Sequence, residues 1–377
     1  MNDVDVLIVG AGPTGLALAA SLLLSGASVM LVDRQAEAAN TSRAAGVNAR
    51  TLEVLERIDV TRRLVKEGVE APRFTIRDRA RTLLTVDFSG LVTDYPFTLL
   101  VPQSTTERLL LDRVRELGGD VNRPEVLTTV TQDDGGVTAT FASGDTVRAD
   151  YLVGADGMHS TVREQAGIRF SGGAYEHSFV LADARLRGDA PTDEVRLFWA
   201  GEGLTVVAPL PDGTFRIVAP VEDAPEAPSA DFVQGLLDAR GPGGITVTDV
   251  TWGSRFRIHH RVADTYRAGR IFLAGDAAHV HSPAGGQGMN LGIQDAIVLA
   301  DALAAVIDGG SDTLLDAYSA SRRHIAEQVV ELTDRLTRLA TMPRPLRPIR
   351  NLLLRIVGRT APVTRALASR LSGLVYR

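Results

Sequence analysis

The sequence has no cysteine among its 377 residues, and aromatic residues make up only 5% of it. Without cysteine there are no disulfides, thiolate nucleophiles or cysteine-ligated metals. This composition suits a reducing compartment, so we expect a cytoplasmic protein, and we predict no metal site. Basic residues are not in excess, since the net charge is −6. That charge argues against a general nucleic-acid-binding function.

The sequence also lacks an uninterrupted membrane span. Residues 6–32 carry no charge, and by length alone they could cross a bilayer. However, Gly10, Gly12, Pro13 and Gly15 interrupt this run. The residues before it, MNDVD, are acidic, whereas a signal peptide starts with positive charge. We therefore expect neither a signal peptide nor integral membrane association.

The hydrophobic pattern predicts an α/β protein. Residues 5–10, 13–26 and 27–33 form a strand–helix–strand unit, and further helices are predicted over 49–68 and 105–119. Strands and helices alternate at both ends of the chain, whereas the middle is rich in strands. We expect a discontinuous Rossmann-like domain with an inserted β-rich domain and C-terminal helices. The predicted division assigns residues 1–70, 97–175 and 263–335 to the first domain, 71–96 and 176–262 to the inserted sheet, and 336–377 to the C-terminal helices.

A glycine motif joins the first strand to the first helix. Gly10 permits a tight turn, Gly12 lets a pyrophosphate approach the backbone, and Gly15 allows close helix–strand packing. Asp33 ends the second strand, where an acid binds a ribose hydroxyl. Asp33 would also repel a 2′-phosphate, so NADP is a poor ligand for this pocket. The motif predicts a dinucleotide site but does not distinguish FAD from NAD.

Two further acidic turns distinguish these cofactors. YLVGADGMHSTVR (151–163) places Asp156 after an apolar strand, and GRIFLAGDAAH (269–279) places Asp276 after another. Each carboxylate is expected at the C-terminal edge of a parallel sheet, where cofactors bind. A domain that binds only NAD has no use for two additional acidic turns, whereas a larger, extended dinucleotide does.

With these three motifs, residues 4–335 resemble the single-component flavoprotein monooxygenases of the para-hydroxybenzoate hydroxylase type (class A). GAGPTG with Asp33, GADGMHSTVR and GDAAHVHSPAGGQGMNLGIQDA carry the resemblance in this order. Within the family, the chain looks most like aromatic polyketide hydroxylases and antibiotic-modifying monooxygenases. The resemblance implies bound FAD, with NADPH or NADH as a transient reductant that has no Rossmann domain of its own.

The resemblance also implies which residues bind FAD. The first turn would hold the pyrophosphate, Asp33 the adenosine ribose, Val126–Leu127 the adenine, and Gln103 the ribityl chain. Asp156 would serve FAD and the nicotinamide nucleotide, whereas the glycine-rich loop and the following helix N-terminus would face the flavin ring. The full expected set is Gly10, Gly12, Pro13, Thr14, Gly15, Asp33, Arg34, Arg43, Gln103, Val126, Leu127, Asp156, Gly275, Asp276, Pro283, Gly286, Gly288, Met289 and Asn290.

The expected reaction uses NAD(P)H and O2 to hydroxylate an aromatic, phenolic and polyketide-type small molecule through a flavin C4a-hydroperoxide. No general base is assigned. His279 is expected to hydrogen-bond locally, and His281 is a weak candidate for a catalytic role. Candidates for an apolar substrate wall are Phe198, Val207, Pro209, Phe215 and Pro283, although the first four fit the core of the inserted sheet at least as well. Alternatives on the same fold are a non-catalytic, chaperone-like FAD-binding protein, a flavin reductase and a Baeyer–Villiger enzyme.

The C-terminal segment has an unusual charge. Residues 342–377 contain eight arginines and no acid. Leu346, Ile349, Leu352, Leu353 and Ile356 share one helical face. Such a basic amphipathic helix either binds an anionic membrane or packs against the acidic remainder of the chain, and we favour packing. The sequence leaves open whether the protein is a monomer or a homodimer.

Overall fold

The protein is described by a computed structural model that covers residues 3–37 and 44–376. Within these residues, one mixed sheet contains the predicted strand–helix–strand unit. Its central strands are parallel and run in the order β18, β11, β1, β2, β8. The strands of this sheet are β1 (Val4–Val9), β2 (Val29–Val32), β8 (Val121–Asn122), β9 (Leu127–Asp133), β10 (Gly136–Phe141), β11 (Thr146–Gly154), β17 (Arg267–Ala268) and β18 (Ile271–Leu273).

A second sheet is formed mainly by the middle of the chain. Two long strands, β12 and β16, pair antiparallel and form its spine. β19, which follows the third acidic turn, joins its edge. Its strands are β5 (Arg73–Asp78), β6 (Arg81–Asp87), β12 (Phe170–Gly188), β13 (Glu194–Ala200), β14 (Gly203–Pro209), β15 (Phe215–Val221), β16 (Ile245–Ala263) and β19 (His279–Val280). A small third sheet contains β3 (Gly46–Val47), β4 (Val69–Ala71) and β7 (Thr98–Leu100).

The described helices pack against both large sheets and continue toward the end of the chain. They are α1 (Pro13–Leu24), α2 (Ala49–Glu56), α3 (Thr61–Glu67), α4 (Gln103–Glu116), α5 (Thr161–Gln165), α6 (Ala230–Arg240), α7 (Gly288–Ile307), α8 (Thr313–Ala340), α9 (Arg347–Val357) and α10 (Ala361–Leu371).

The core explains why β1 is almost wholly apolar. β1 lies between two parallel neighbours, and Val6, Leu7 and Ile8 are buried on both faces of the sheet. α1 starts with Pro13 at its first position, where the missing N–H costs no helical hydrogen bond. α7 packs against α1 and is the one described helix long and apolar enough to cross a membrane. Since most of its apolar stretch is buried inside the protein, α7 is a core helix.

Three features differ from the sequence predictions. The helix predicted over residues 49–68 is divided into α2 and α3, because Asp59 adopts a left-handed conformation with φ +59° between them. The predicted boundary at 335/336 falls inside the continuous helix α8. The second sheet begins with β12 at Phe170, before the predicted boundary at residue 176. The division into domains itself stays a prediction.

Candidate active site

Three turns distant in sequence begin side by side at one edge of the first sheet. The Ala155 N–H donates to the Val9 carbonyl at 2.8 Å, and the Ala274 N–H donates to the Gly154 carbonyl at 3.0 Å. The strands β1, β11 and β18 therefore end together, since all three are parallel. This arrangement brings the turns of Gly10, Asp156 and Asp276 to one place, as the sequence predicts.

The glycines of the first turn differ in what a side chain would meet. A Cβ at Gly10, where φ is +106°, would lie 2.3 Å from the Ala155 carbonyl oxygen. A Cβ at Gly15 would lie 1.9 Å from the Gly10 carbonyl oxygen. A Cβ at Gly12 would meet no protein atom within 4 Å. Gly10 and Gly15 are thus required by packing, whereas Gly12 leaves open space at the N-terminus of α1, where a phosphate is stabilised.

Asp33 orients the first turn. Its Oδ2 atom accepts a hydrogen bond from the Ala11 N–H at 2.8 Å, and its Oδ1 atom accepts one from the Gln35 N–H at 2.8 Å. The carboxylate therefore links the end of β2 to the glycine turn. Arg34 follows it and is exposed.

Asp156 stands in the second turn with one oxygen partnered and one not. Its Oδ2 atom accepts from the Val162 N–H at 3.2 Å. Its Oδ1 atom is buried and has no hydrogen-bond partner among the described residues. Burial raises the pKa of Asp156, although hydrogen bonds from Ser160 and Val162 act in the opposite direction. An unpartnered buried carboxylate oxygen is costly, which points to a ligand with a donor group at this position.

Arg163, to which the sequence analysis assigned no role, ties the second turn to the third. Its guanidinium is buried and donates to the Met158 carbonyl at 3.0 Å and the Ala277 carbonyl at 2.9 Å. It lies 4.0 Å from the centre of the Phe170 ring. Burial lowers the pKa of Arg163, and the nearby Asp156 carboxylate opposes this shift. Its place at the end of the GADGMHSTVR motif was the signal available in the sequence.

The third turn packs directly on the first. A Cβ at Gly275 would lie 2.5 Å from the Thr14 Oγ1 atom, and one at Gly292 on α7 would lie 2.4 Å from the same atom. Asp276 is exposed between the buried residues Gly275 and Ala277, so it faces outward from the turn.

A buried ionic cluster supports the third turn from behind. The Asp295 carboxylate on α7 lies 2.6 Å from His279 Nε2 and 2.6 Å from Arg322 Nε, and it accepts from the Gly275 N–H at 3.3 Å. Burial acts to raise the pKa of Asp295, but Arg322 and His279 outweigh it, so the pKa is lowered and the carboxylate is charged. His279 thus has the local hydrogen bond that the sequence analysis expected.

The glycine-rich loop leads into α7 without a side-chain cap. The first N–H groups of this helix, at Gly288, Met289 and Asn290, have no helical acceptors. The Asn290 side chain is buried and occupied. It donates to the Gly46 and Gly286 carbonyls and accepts from the Asn48 N–H at 2.9 Å. Asn290 therefore holds the loop in position, whereas the helix N–H groups remain directed at the site.

Pro283 and Gly286 are the exposed members of this loop. Gly286 has φ +64°, and a Cβ there would meet no atom within 4 Å. The loop thus presents bare backbone outward, a surface that a planar ring can approach.

His281 is partly buried beside this loop. Its Nδ1 atom lies 2.9 Å from the Ser282 carbonyl, and its Nε2 atom is buried without a partner among the described residues. Burial lowers the pKa of His281 to about 4, and the hydrogen bond to Ser282 only partly opposes this shift. The ring is therefore neutral near pH 7. Nδ1 donates to Ser282, and Nε2 presents a lone pair as an acceptor.

Gln103 connects two segments at the side of the site. Its Oε1 atom accepts from the Ala44 N–H at 3.1 Å, and its Nε2 atom donates to Glu107 at 2.8 Å. Arg43, the residue before Ala44, lies outside the described residues.

Val126 and Leu127 stand at the start of β9. The Val126 side chain is half exposed, and its carbonyl accepts from the Ala142 N–H at 2.8 Å. The Leu127 side chain is buried in the core of the first sheet. The adenine contact expected of this backbone stays a prediction.

Most of the expected substrate-wall residues lie on the outer face of the second sheet. Phe198 and Val207 are completely buried, and with Phe215 they pack against Val233 and Leu237 of α6. Pro209 pairs with Phe215 across the strands and is also buried. These four residues thus occupy the sheet core, the other possibility that the sequence left open, and we do not carry them into the proposed substrate site.

The opposite face of the same strands points toward the Ala44 loop and the small third sheet. Arg216, next to Phe215, pairs with Asp183 in two hydrogen bonds of 2.8 and 2.7 Å and reaches the Ala44 carbonyl. Trp252 stands across from Asp183 and lies under the Arg216 guanidinium at 5.7 Å. Trp252, Phe256 and Val218 are only partly buried. Side chains alternate along a strand, so these residues lie on the face opposite to the predicted substrate wall.

These residues fit FAD. The open space at Gly12 suits a pyrophosphate. The unpartnered Oδ1 of Asp156 suits a hydroxyl donor, and the uncapped start of α7 suits an electron-rich ring.

The comparisons with known proteins agree. The FAD binding domain family matches residues 3–333. The chain is 36% identical over 374 residues to a rifampicin monooxygenase of Streptomyces venezuelae, which covers 94% of this chain and 75% of that protein. The structure is similar to that of an anhydrotetracycline hydroxylase from Streptomyces rimosus, with TM-score 0.82 and 37% identity, covering 98% of this chain and 76% of that one. A p-nitrophenol 4-monooxygenase from Pseudomonas putida gives TM-score 0.87 at 26% identity and 99% coverage of both chains.

Proposed function

This chain belongs to the FAD binding domain family and is an FAD-dependent aromatic monooxygenase, and from that premise we propose that its substrate is a polycyclic, polyketide-type phenol and its reductant a nicotinamide nucleotide. The observation that carries the proposal is the meeting of three turns at the ends of β1, β11 and β18. When bound, FAD supplies the chemistry that activates O2 and transfers one oxygen atom to the ring.

The residues of the chain bind and orient the cofactor. The N-terminus of α1 stabilises the pyrophosphate through N–H groups beside Gly12. The N–H groups at the start of α7, with the helix dipole, stabilise negative charge on the flavin ring. The tie from Arg163 to the third turn and the Asp295 cluster keep these donors in place before the ligand arrives. Preorganised donors of this kind cost no reorganisation during the reaction.

The substrate would lie between the glycine-rich loop that precedes α7 and the face of the second sheet that carries Arg216, which we call the inner face. Trp252, Phe256 and Val218 offer partly buried apolar surface there. Arg216 and Asp183 neutralise each other, so the face carries no net charge from this pair. An uncharged aromatic face excludes water and suits an extended aromatic substrate. His281 Nε2, a lone-pair acceptor, is available to a phenolic O–H.

A basic cluster beside the second turn supports docking of the nicotinamide nucleotide. Burial lowers the pKa of His259 on β16, and the nearby Arg261, His159 in the turn and Arg257 act in the same direction. Arg261 Nε and His259 Nδ1 are buried without partners among the described residues. Positive charge with unfilled donors is complementary to a phosphate group.

The monooxygenase activity is tested with isotopic oxygen. The purified yellow protein is supplied with NADPH or NADH, a panel of polycyclic phenols and 18O2, and products are analysed by mass spectrometry. We expect substrate to accelerate NAD(P)H oxidation and the product to gain one labelled atom. A product without label, or flavin reduction that no phenol accelerates, would instead favour the non-catalytic FAD-binding alternative.

The reductant site is tested separately with Arg261→Ala. Loss of one charge-assisted contact should raise the KM for NADPH about tenfold while FAD content is unchanged. Arg255→Ala is the matched control, since Arg255 lies on the same strand but pairs with Glu226 at the surface. An unchanged KM in Arg261→Ala would place the reductant elsewhere.

A further inference from the structure

Exposed apolar side chains are concentrated in the C-terminal helices. Among the described residues, twelve large apolar side chains are exposed, and six of them lie between residues 346 and 363. Ile349, Leu352, Leu353 and Ile356 on α9 are each 54–58% exposed. Their spacing of three and four residues places them on one face of the helix. This continuous apolar face points away from the protein.

The opposite face of α9 is fixed to the body of the protein. The buried Arg350 guanidinium donates to the carbonyls of Leu339, Ala340 and Trp199 at 3.0–3.1 Å. A Cβ at Gly358 would lie 2.9 Å from the Leu83 carbonyl oxygen on β6, so the helix end touches that strand. The sequence analysis favoured packing of this helix against the rest of the chain. The face of α9 that carries Arg350 packs in this way, whereas the apolar face does not. The exposed face is not a frayed end, because its helix is anchored.

The C-terminal segment itself contributes charge of only one sign around this face. Residues 342–377 contribute eight arginines and no acid, whereas the other residues have a net charge of 32 − 46 = −14. Arg355 lies on α9 next to Ile356, and the exposed Arg359 follows the end of the helix at Gly358. A two-fold contact between copies of this face would bring arginines against arginines, which is unfavourable. A negatively charged partner is complementary instead.

A basic cavity opens beside the apolar face. It has a volume of about 360 Å3 and lies between α9 and the start of β6, with Leu352 in its wall. Four arginines line it, which are Arg81, Arg344, Arg347 and Arg355. The one acid in the wall, Asp78, accepts a hydrogen bond from Asn351. Arg344 pairs with Glu202, so Arg81, Arg347 and Arg355 keep the wall positive. A cavity of this charge next to exposed leucines is complementary to a phosphate group attached to an acyl chain.

We propose that this basic tail surface, formed by Ile349, Leu352, Leu353, Ile356, Arg355 and Arg359, docks on an anionic lipid bilayer. The apolar side chains enter the interface between headgroups and acyl chains, and the arginines bind headgroup phosphates, one of them in the cavity. The acidic remainder of the protein is repelled by the same bilayer, so only the tail faces it. Docking would place the enzyme where apolar aromatic compounds partition from water.

The test is sedimentation of the 377-residue, FAD-loaded protein with sucrose-loaded vesicles. Vesicles of equal phosphatidylglycerol and phosphatidylcholine should bind the protein, pure phosphatidylcholine vesicles should not, and added salt should weaken binding. Leu353→Glu should lower the partition coefficient at least about tenfold, because it places a charge at the membrane interface. Arg359→Gln, an exposed position, should lower it about fivefold.

Leu314→Glu on α8 is the matched control, because Leu314 is 42% exposed but lies outside the tail. It should bind anionic vesicles as the parent does. Flavin absorbance and a cooperative melting transition report that each variant is folded. Absence of binding to anionic vesicles, or equal binding to both vesicle types, would overturn the proposal. A second result would also overturn the proposal. If sedimentation velocity shows that Leu353→Glu separates a dimer while vesicle binding stays unchanged, the apolar face joins two copies of the protein instead.

Discussion

Arg216 Nη1 on the second sheet donates a hydrogen bond of 2.9 Å to the Ala44 carbonyl. The N–H of the same residue, Ala44, donates to Gln103 Oε1. This contact connects the proposed substrate face to the segment beside the cofactor. Arg216 also pairs with Asp183, and both side chains are at most 14% exposed. One buried guanidinium thus sets the relative position of the two parts of the site.

Arg216→Met should remove this connection and leave Asp183 as an uncompensated buried charge. We expect the free energy of unfolding to fall by about 3–5 kcal/mol, measured by urea denaturation. The variant should also release more H2O2 per NAD(P)H oxidised, because the flavin ring is less well shielded from water. The double variant Arg216→Met/Asp183→Leu should recover much of the free energy of unfolding, but its H2O2 release per NAD(P)H oxidised should stay high. H2O2 release at the parent level in Arg216→Met would show that the contact has no role in the site.

Gly12→Val should abolish FAD binding without unfolding the protein. A Cβ at Gly12 meets no protein atom within 4 Å, so the added side chain occupies the space proposed for the pyrophosphate. The purified variant should lack flavin absorbance in the visible range and keep its far-ultraviolet circular dichroism. Gly90→Val is the control, since Gly90 is equally open and outside the site. A yellow Gly12→Val protein would contradict the assignment.

The two faces of the second sheet should respond differently to truncation. Trp252→Ala should raise the KM for the aromatic substrate with little loss of stability, because the side chain is partly exposed on the inner face. Val207→Ala should leave the KM unchanged and cost about 2 kcal/mol of stability, because Val207 is completely buried against α6. Steady-state kinetics and thermal denaturation of both variants separate these effects. The reverse pattern would place the substrate on the α6 side.

His281 should make stability depend on pH without acting as the base. Its folded pKa of about 4 lies below the value of about 6.5 expected after unfolding. The unfolded state therefore binds more protons between these values, and the free energy of unfolding falls as pH drops from about 6.5 to 4. The loss attributable to His281 is about 3 kcal/mol.

His281→Asn should keep the hydrogen bond to Ser282 and remove this pH dependence, measured by urea denaturation at a series of pH values. So weak a base does not deprotonate a phenol, whose pKa is about 10, so the pH profile of kcat should not change. A lost inflection in that profile would assign His281 a catalytic proton transfer.

Asp295→Asn should destabilise the protein strongly, because Arg322 would remain as a buried charge without a counterion. We expect a loss of about 3–5 kcal/mol in the free energy of unfolding. The pKa of Asp295 is lowered on folding, so its contribution is complete above the unfolded value of about 3.9 and is lost as pH falls through the folded value.

Asp301→Asn on the same helix is the control for Asp295→Asn. Asp301 pairs with Arg57 at the surface, and both side chains are about half exposed, so it should cost less than about 1 kcal/mol. Equal losses in the two variants would show that the buried cluster has no special role.

The local sequence determined the parts of this protein whose cause lies within a few residues. Gly10 and Gly15 allow the first turn, Pro13 starts α1, and an acid follows each of three apolar strands, so the cofactor edge and its order along the chain were predictable. These features depend on backbone sterics and strand ends, which neighbouring residues decide.

Only the tertiary structure decided which partners meet across the chain. Asp59 ends a helix that hydrophobic periodicity alone would continue. Arg163 donates a hydrogen bond to the Ala277 carbonyl, more than one hundred residues away along the chain. Alternation predicted two faces for β15 but not that Phe215 faces α6 and Arg216 faces the Ala44 loop. Such choices depend on long-range packing and on the burial of charge, and both are set by the fold as a whole.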